Sequence, residues 1–250
     1  MQHQSVLLLI ALVVAVAPIP AQGPTALRLR GSVTSEDGSP IGGARVRSEA
    51  IAGIGGGEFA GQREFETVAD KKGQWSLLGI TRGTWFFEVT AEHHVPHVVA
   101  IPVAMTQATV MPSVTWHPAL TLQRDDQLGA LGPALSEVVK QARTDRSGAV
   151  AALRRLAVDP SSAEALCAAG DVSLLLRDFS LARGLFTQAS QLKPDWFRPF
   201  LGVASAALAT KDYEAAATAY WRVRDTSPSR DLQQTMSAAV ADLQRLTGLK

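Results

Sequence analysis

Three histidines fall within five residues, His93, His94 and His97 in "HHVPH", the densest group of metal-competent side chains in the chain. A zinc site needs three or four Cys, His or carboxylate ligands converging on one point. On a strand, His93 and His94 point to opposite faces. Pro96 interrupts the segment, no Cys or carboxylate pair stands at ligand spacing, and His117 is too distant to complete a set. The expectation is polar residues at a strand end, with no metal and no cofactor.

The stretch "ADKKGQWSLLGITRGTWFFEV", Ala69 to Val89, offers an acid, two lysines and spaced glycines. A phosphate-gripping loop would place such glycines between a strand and a helix N-terminus. Here aromatic and branched residues flank the turn on both sides. Two strand reversals are expected instead, with Asp70 bonding its own turn and Gly73 and Gly83 supplying positive φ. "GIGGGEFAG" fails the Gly-x-Gly-x-x-Gly pattern, because Glu58 stands at the last glycine, and it reads as a loop between strands.

The remaining candidates have plain structural readings. Ser161 in "SSAE" matches a capping box with Glu164, not a nucleophile. Asp125 and Asp126 read as solvated charges between two regions; a glycosidase pair would need a cleft between them. Cys167 is the single cysteine, so no internal disulfide forms, and no neighbouring cation activates it. A net charge of +1 gives no basic patch for nucleic acid. The expectation from these residues is that the chain is not an enzyme.

Two periodicities organise the rest. "VLLLIALVVAVA", Val6 to Ala17, is an apolar run of 12 residues at the start of the chain. It is shorter than the ~20 residues a membrane span needs and fits the apolar region of a secretory signal, although "MQHQS" carries no basic residue. A signal peptide over 1–22 is expected, with export to the periplasm or beyond. From Leu27 to Leu122, strand-like segments such as "LRLRGSV", "ARVRSEAI", "QWSLLGI", "TWFFEVTA", "HVVAIPV" and "ATVMPSVTW" alternate with turn signals. Short strands punctuated in this way predict a sandwich or barrel.

"GSVTSEDGSPIGGARV" followed by "ADKKGQWSLLGITRGTWFFEVTA" resembles the carboxypeptidase regulatory-like domain. The matching positions are Gly31, Val33, Asp37, Gly38, Pro40, Gly43, Ala44, Val46, Asp70, Gly73, Trp75, Gly83 and Trp85. The resemblance implies a transthyretin-like β-sandwich of approximately seven strands over 23–122, an accessory domain separate from any peptidase. "AEHHVPH" departs from the family pattern at the strand exit. The superfamily also includes starch-binding modules, so Trp75, Trp85 and Trp116 invite sugar stacking. Trp75 and Trp85 nonetheless occupy core aromatic positions of the family. A carbohydrate-binding module with a helical attachment is the alternative reading.

After Arg124 the apolar residues take helical spacing, with 123–132 expected as a linker. Pro160, Pro194 and Pro228 lie 34 residues apart, and Phe179, Ala182 and Phe186 recur as Tyr213, Ala216 and Tyr220. A fixed period of this length marks a repeat architecture. The segment resembles the tetratricopeptide repeat, with Leu166, Ala169, Gly170, Ala189 and Leu201, Ala204 also on pattern and a divergent unit before Pro160. The fold expected is therefore multidomain, β followed by α, with an antiparallel helical-hairpin array over 133–250. The resemblance implies a concave groove lined by Glu164, Cys167, Asp171, Leu174 and Leu175, then Arg198, Leu201, Ser205 and Leu208. That set is small, apolar and partly acidic, which suits an apolar helix or extended segment more than an anionic peptide tail. The function expected is an exported, non-enzymatic scaffold that binds a protein partner through the repeats.

Overall fold

A computed structural model describes residues 27–35, 37–51, 64–80, 83–103, 119–156, 158–159, 161–228 and 230–248. The leader, the glycine-rich loop at 53–61, the expected strand at 108–116 with Trp116, and His117 lie outside the described residues.

Among the described residues seven strands come first: β1 (Leu27–Ser35), β2 (Arg45–Ile51), β3 (Glu64–Val68), β4 (Gln74–Ile80), β5 (Gly83–Thr90), β6 (His97–Val103) and β7 (Ala119–Leu122). They form one sheet in the order β4-β1-β7 and another in the order β3-β2-β5-β6. The larger sheet is antiparallel throughout, whereas β7 runs parallel to β1. Alternation puts Leu29, Val33, Trp75, Leu77 and Ile80 of the first sheet against Val46, Trp85, Phe87, Val89, Val99 and Ile101 of the second, in one apolar core.

The turn at Asp70 forms as its residues dictate. Asp70 Oδ1 accepts from the N–H groups of Lys72 (2.8 Å) and Gln74 (2.9 Å), and Gly73 has φ 72°. A side chain at Gly73 would strike the Val33 carbonyl, so glycine serves both the conformation and the close approach.

Seven α-helices follow among the described residues: α1 (Leu131–Ala142), α2 (Arg146–Leu153), α3 (Ala163–Leu175), α4 (Phe179–Leu192), α5 (Phe197–Ala209), α6 (Tyr213–Thr226) and α7 (Arg230–Thr247). The bounds of α3 and α4 recur in α5 and α6 at the 34-residue period. The turns recur as well. Arg177 and Lys211 have φ 61° and 62°, and the next residues, Asp178 and Asp212, cap α4 and α6 by accepting from Leu181 N–H and Ala215 N–H. Phe186 packs against Gly170 and Gly202, where an added Cβ would overlap its ring, which is why small residues stand where these helices cross.

One capping expectation shifts. The cap of α3 is Ser162, which accepts from Ala165 N–H, and Ser161 instead bonds Asp159. The N-cap of α5 is Trp196, without a side-chain bond. Gly248, at φ 71°, follows the last residue of α7. Residues 123–132 hold a short 3-10 helix (Asp125–Leu128) and the first turn of α1, and Gln123 and Gly132 are buried. Val95 N–H donates to the Gln123 carbonyl at 2.8 Å, which ties this segment to the strands.

The two halves share a core. Phe86, Val95, Val98 and Ala100 of the strand region belong to the same buried apolar cluster as Leu166, Phe186, Tyr220 and Leu243 of the helices. The sandwich keeps a core of its own between its sheets, and these four residues couple it to the helices.

Candidate functional site

The residues expected to line the groove come from α3 and α5, the first helices of the two clear repeats. Strand β6, the edge strand of the larger sheet, lies against α3, α5 and α7. The groove face therefore meets an extended segment of the same chain.

The contact is made edge-on. Ala100 N–H donates to Ser205 Oγ at 2.9 Å, and the Ala100 carbonyl accepts from the Tyr220 hydroxyl at 2.8 Å. Both backbone groups point away from β5, as alternate residues of an antiparallel strand do, and side chains of α5 and α6 take them. Ser205 Oγ donates its own proton to the Leu201 carbonyl at 2.8 Å, which leaves its lone pairs for Ala100. Burial pushes the Tyr220 phenol far above its ordinary range, so it remains a donor at any working pH. An exposed strand edge is a template for pairing with other chains, and here the repeats cover it.

One end of this seat is ionic. His97 Nδ1 lies 3.2 Å and 3.3 Å from the two Asp171 carboxylate oxygens, and Arg198 donates to Asp171 Oδ2 at 2.9 Å. Val98 N–H approaches Asp171 Oδ1 at 3.4 Å. Asp171 is 1% exposed, His97 7% and Arg198 5%. Burial alone would raise the Asp171 pKa, but His97 and Arg198 outweigh it and hold the carboxyl below its ordinary value. A buried carboxylate with one basic partner removed would carry a large penalty.

The other end is aromatic and charged. Phe86 of β5 stacks on Phe179 of α4 with centroids 6.0 Å apart and planes 3° from parallel. The Arg177 guanidinium lies 4.5 Å from the Phe86 centroid and pairs with Glu49 of β2. A cavity of about 10 Å³ sits here, lined by Arg47, Glu49, Phe86, Glu88, Val98, Leu174, Leu175 and Arg177. Burial raises the Glu88 pKa, and the pull of Arg47 and Arg177 offsets only part of that rise.

The expected groove residues are distributed as follows. Cys167, Asp171, Leu174, Arg198, Ser205 and Leu208 are buried. Leu175 and Leu201 are half-buried, and Leu201 packs against both cores. Glu164 stands at the rim, where a hydrogen bond from Lys193 lowers its pKa. The other chemical candidates scatter. His93 is exposed at φ 58°, and His94 Nδ1 lies 2.7 Å from the Glu92 carbonyl oxygen. Among the described residues no group of three or more His, Cys, Asp or Glu side chains converges to hold a metal. Asp126 pairs with Arg124 at 2.7 Å. Trp75 and Trp85 are core residues, 4% and 0% exposed, so neither presents a face to a sugar.

Sequence reasoning missed His97, Ala100, Tyr220, Phe86 and Arg177 as parts of this site. One signal was available: "HVVAIPV" is apolar on both faces, as a strand covered on both sides must be.

No family model matches the chain, and no curated protein matches it. Solved structures do. PcrH in complex with the chaperone binding region of PopD matches at 16% identity and TM-score 0.38, over 50% of this chain and 93% of that one. The first TPR of Spaghetti (RPAP3), bound to an HSP90 peptide, matches at 18% and 0.36, over 47% and 95%. A chlorocatechol 1,2-dioxygenase from Pseudomonas putida matches at 13% and 0.33, over 42% and 63%. The chain spans between half and two thirds of the length of this and two further catechol 1,2-dioxygenases. The helical half is an array of antiparallel helix pairs, with α3 and α4 recurring as α5 and α6 at 34 residues. The expectation that the chain is not an enzyme is corrected: enzymes stand among the structures it resembles, and the exclusion is withdrawn. At this identity and score the likeness transfers no activity.

Proposed function

We propose that the chain is a protein–protein interaction scaffold whose repeat groove binds an extended segment by its backbone edge. The observation that supports this is the seat of Ala100, whose N–H and carbonyl are both taken by groove side chains, Ser205 and Tyr220. Such bonds read backbone geometry, and the close packing admits only a small side chain at that point. In this reading Asp171, Leu174, Arg198, Leu201, Ser205 and Leu208 form the recognition surface, with Cys167 beneath it and Glu164 and Leu175 at its rim.

The finer parts of the proposal rest on sequence pattern. Residues 1–22 act as a signal peptide, and the protein works in the periplasm or outside the cell. Residues 23–122 form a β-sandwich of the carboxypeptidase regulatory-like kind, and 133–250 the repeat domain. The carbohydrate-binding alternative finds no support at Trp75 and Trp85, which are buried.

The full chain carrying Ala100→Arg tests the groove. Ala100 is 0% exposed, so arginine there must lift β6 out of its seat. A labelled peptide with the sequence of residues 95–103 should then bind the variant in trans, and the same peptide with the arginine should not. Equal binding of both peptides would refute edge-on recognition.

A further inference from the structure

We infer that strand β6 closes the groove in cis and that Arg177, Glu49, Phe86 and Phe179 form the latch that keeps it closed. The partner admitted on release is an extended segment with a small residue at its centre and branched residues beside it. The inference rests on the groove reading proposed above and adds its regulation and the chemistry of its partner.

The occupant defines that chemistry. At the centre of the seat stands Ala100, flanked by Val98, Val99 and Ile101. Groove contacts to Ala100 and Val98 fall on backbone groups, which any extended chain supplies. Strand β6 pairs with β5 along its other edge. Leaving the groove therefore breaks no sheet bond, and the freed edge groups meet water or an incoming segment. The seat also holds Asp171, His97 and Arg198, a buried ionic group within an otherwise apolar contact.

The latch lies beside the groove and outside its floor. Arg177 sits in the turn after α3 with φ 61°, and its side chain reaches the sheet. There it pairs with Glu49 and covers Phe86, which stacks on Phe179. The Arg177 and Glu49 side chains are 29% and 39% exposed, so ions and solvent reach them. Lys211 occupies the equivalent turn of the next repeat, with φ 62°, and is exposed. It supplies a matched control.

The experiment uses the full chain and a fluorescent peptide of residues 95–103, with anisotropy as readout. A closed groove lowers the apparent affinity by the fraction of open molecules. Arg177→Gln and, separately, Phe179→Ala should bind the peptide at least about tenfold more tightly than the unaltered chain. Lys211→Gln should bind like the unaltered chain, and circular dichroism checks that each variant keeps its helices. Equal binding by the unaltered chain, both latch variants and the Ala100→Arg chain would overturn closure. Failure of both variants to gain affinity, where the Ala100→Arg chain binds, would overturn the latch and leave groove recognition standing. Failure of the Ala100→Arg chain as well would sink both.

Discussion

Replacing Tyr220 by phenylalanine removes one oxygen from the contact between the halves and leaves the packing volume nearly unchanged. Tyr220 and Ala100 are both 0% exposed, and the hydroxyl donates to the Ala100 carbonyl at 2.8 Å. Without the hydroxyl, the carbonyl faces α6 with neither that donor nor ready access to water. An unsatisfied buried acceptor costs about 1–3 kcal/mol. The phenyl ring fills the same space, so no cavity penalty is added. Because the strand residues and helices share one apolar cluster, the loss falls on a cooperative unit of both halves. For a unit of about 150–250 residues, each kcal/mol moves Tm by roughly 2–4 °C, so a fall of about 2–12 °C is expected. Differential scanning calorimetry of the full chain is the assay, and one endotherm should shift as a whole. A Tm within about 1 °C of the parent, below the range just worked out, would refute the reasoning. So would two endotherms of which only one moves.

Ala182 and Ala216, both 0% exposed at matching places in the two repeats, should each lose about 1–3 kcal/mol on replacement by leucine, whereas Glu214→Gln, on the exposed face, should change stability by no more than about 0.5 kcal/mol; denaturant unfolding checks this. Gly202→Ala should destabilise by about 1–3 kcal/mol because its new methyl overlaps the Phe186 ring, while Gly184→Ala, with nothing within 4 Å, should stabilise by up to about 1 kcal/mol. Glu88→Gln should raise Tm at neutral pH. Its folded pKa is raised by burial, so the charge opposes folding above that pKa and ceases to do so once pH falls below the unfolded value near 4.5; the gain from glutamine should shrink through that window in a pH series of melts.

The repeats were legible because their signal is local and duplicated. The spacing of Pro160, Pro194 and Pro228 matches the helix period, and Ala182 and Ala216 lie where the register put them. The turn at Asp70 was legible for the same reason, since its bonds span four residues. Strand β7 was not, because a short parallel strand pairs with β1 across most of the β-half, and "ALTL" alone carries no sign of that partner. The contact between halves was equally hidden. His97 read as a polar strand-end residue, since its partner Asp171 stands 74 positions away. Arg198 was named among the groove residues, but its bond to Asp171, 27 positions away, was equally out of reach. Small groove residues fit a ligand from outside and a strand of the same chain equally well, and nothing local distinguishes the two.

The central claim, that the repeat groove holds the outer edge of β6, is tested most directly by amide hydrogen exchange on the full chain, resolved at single residues. Val98 and Ala100 lie on an edge strand, and their N–H groups point away from β5. If Asp171 and Ser205 take those N–H groups, both amides should be protected to the level of the sheet interior, and Ser205→Ala should release Ala100 alone. Exchange of Val98 and Ala100 at the rate of an open strand edge in the unaltered chain would contradict the account.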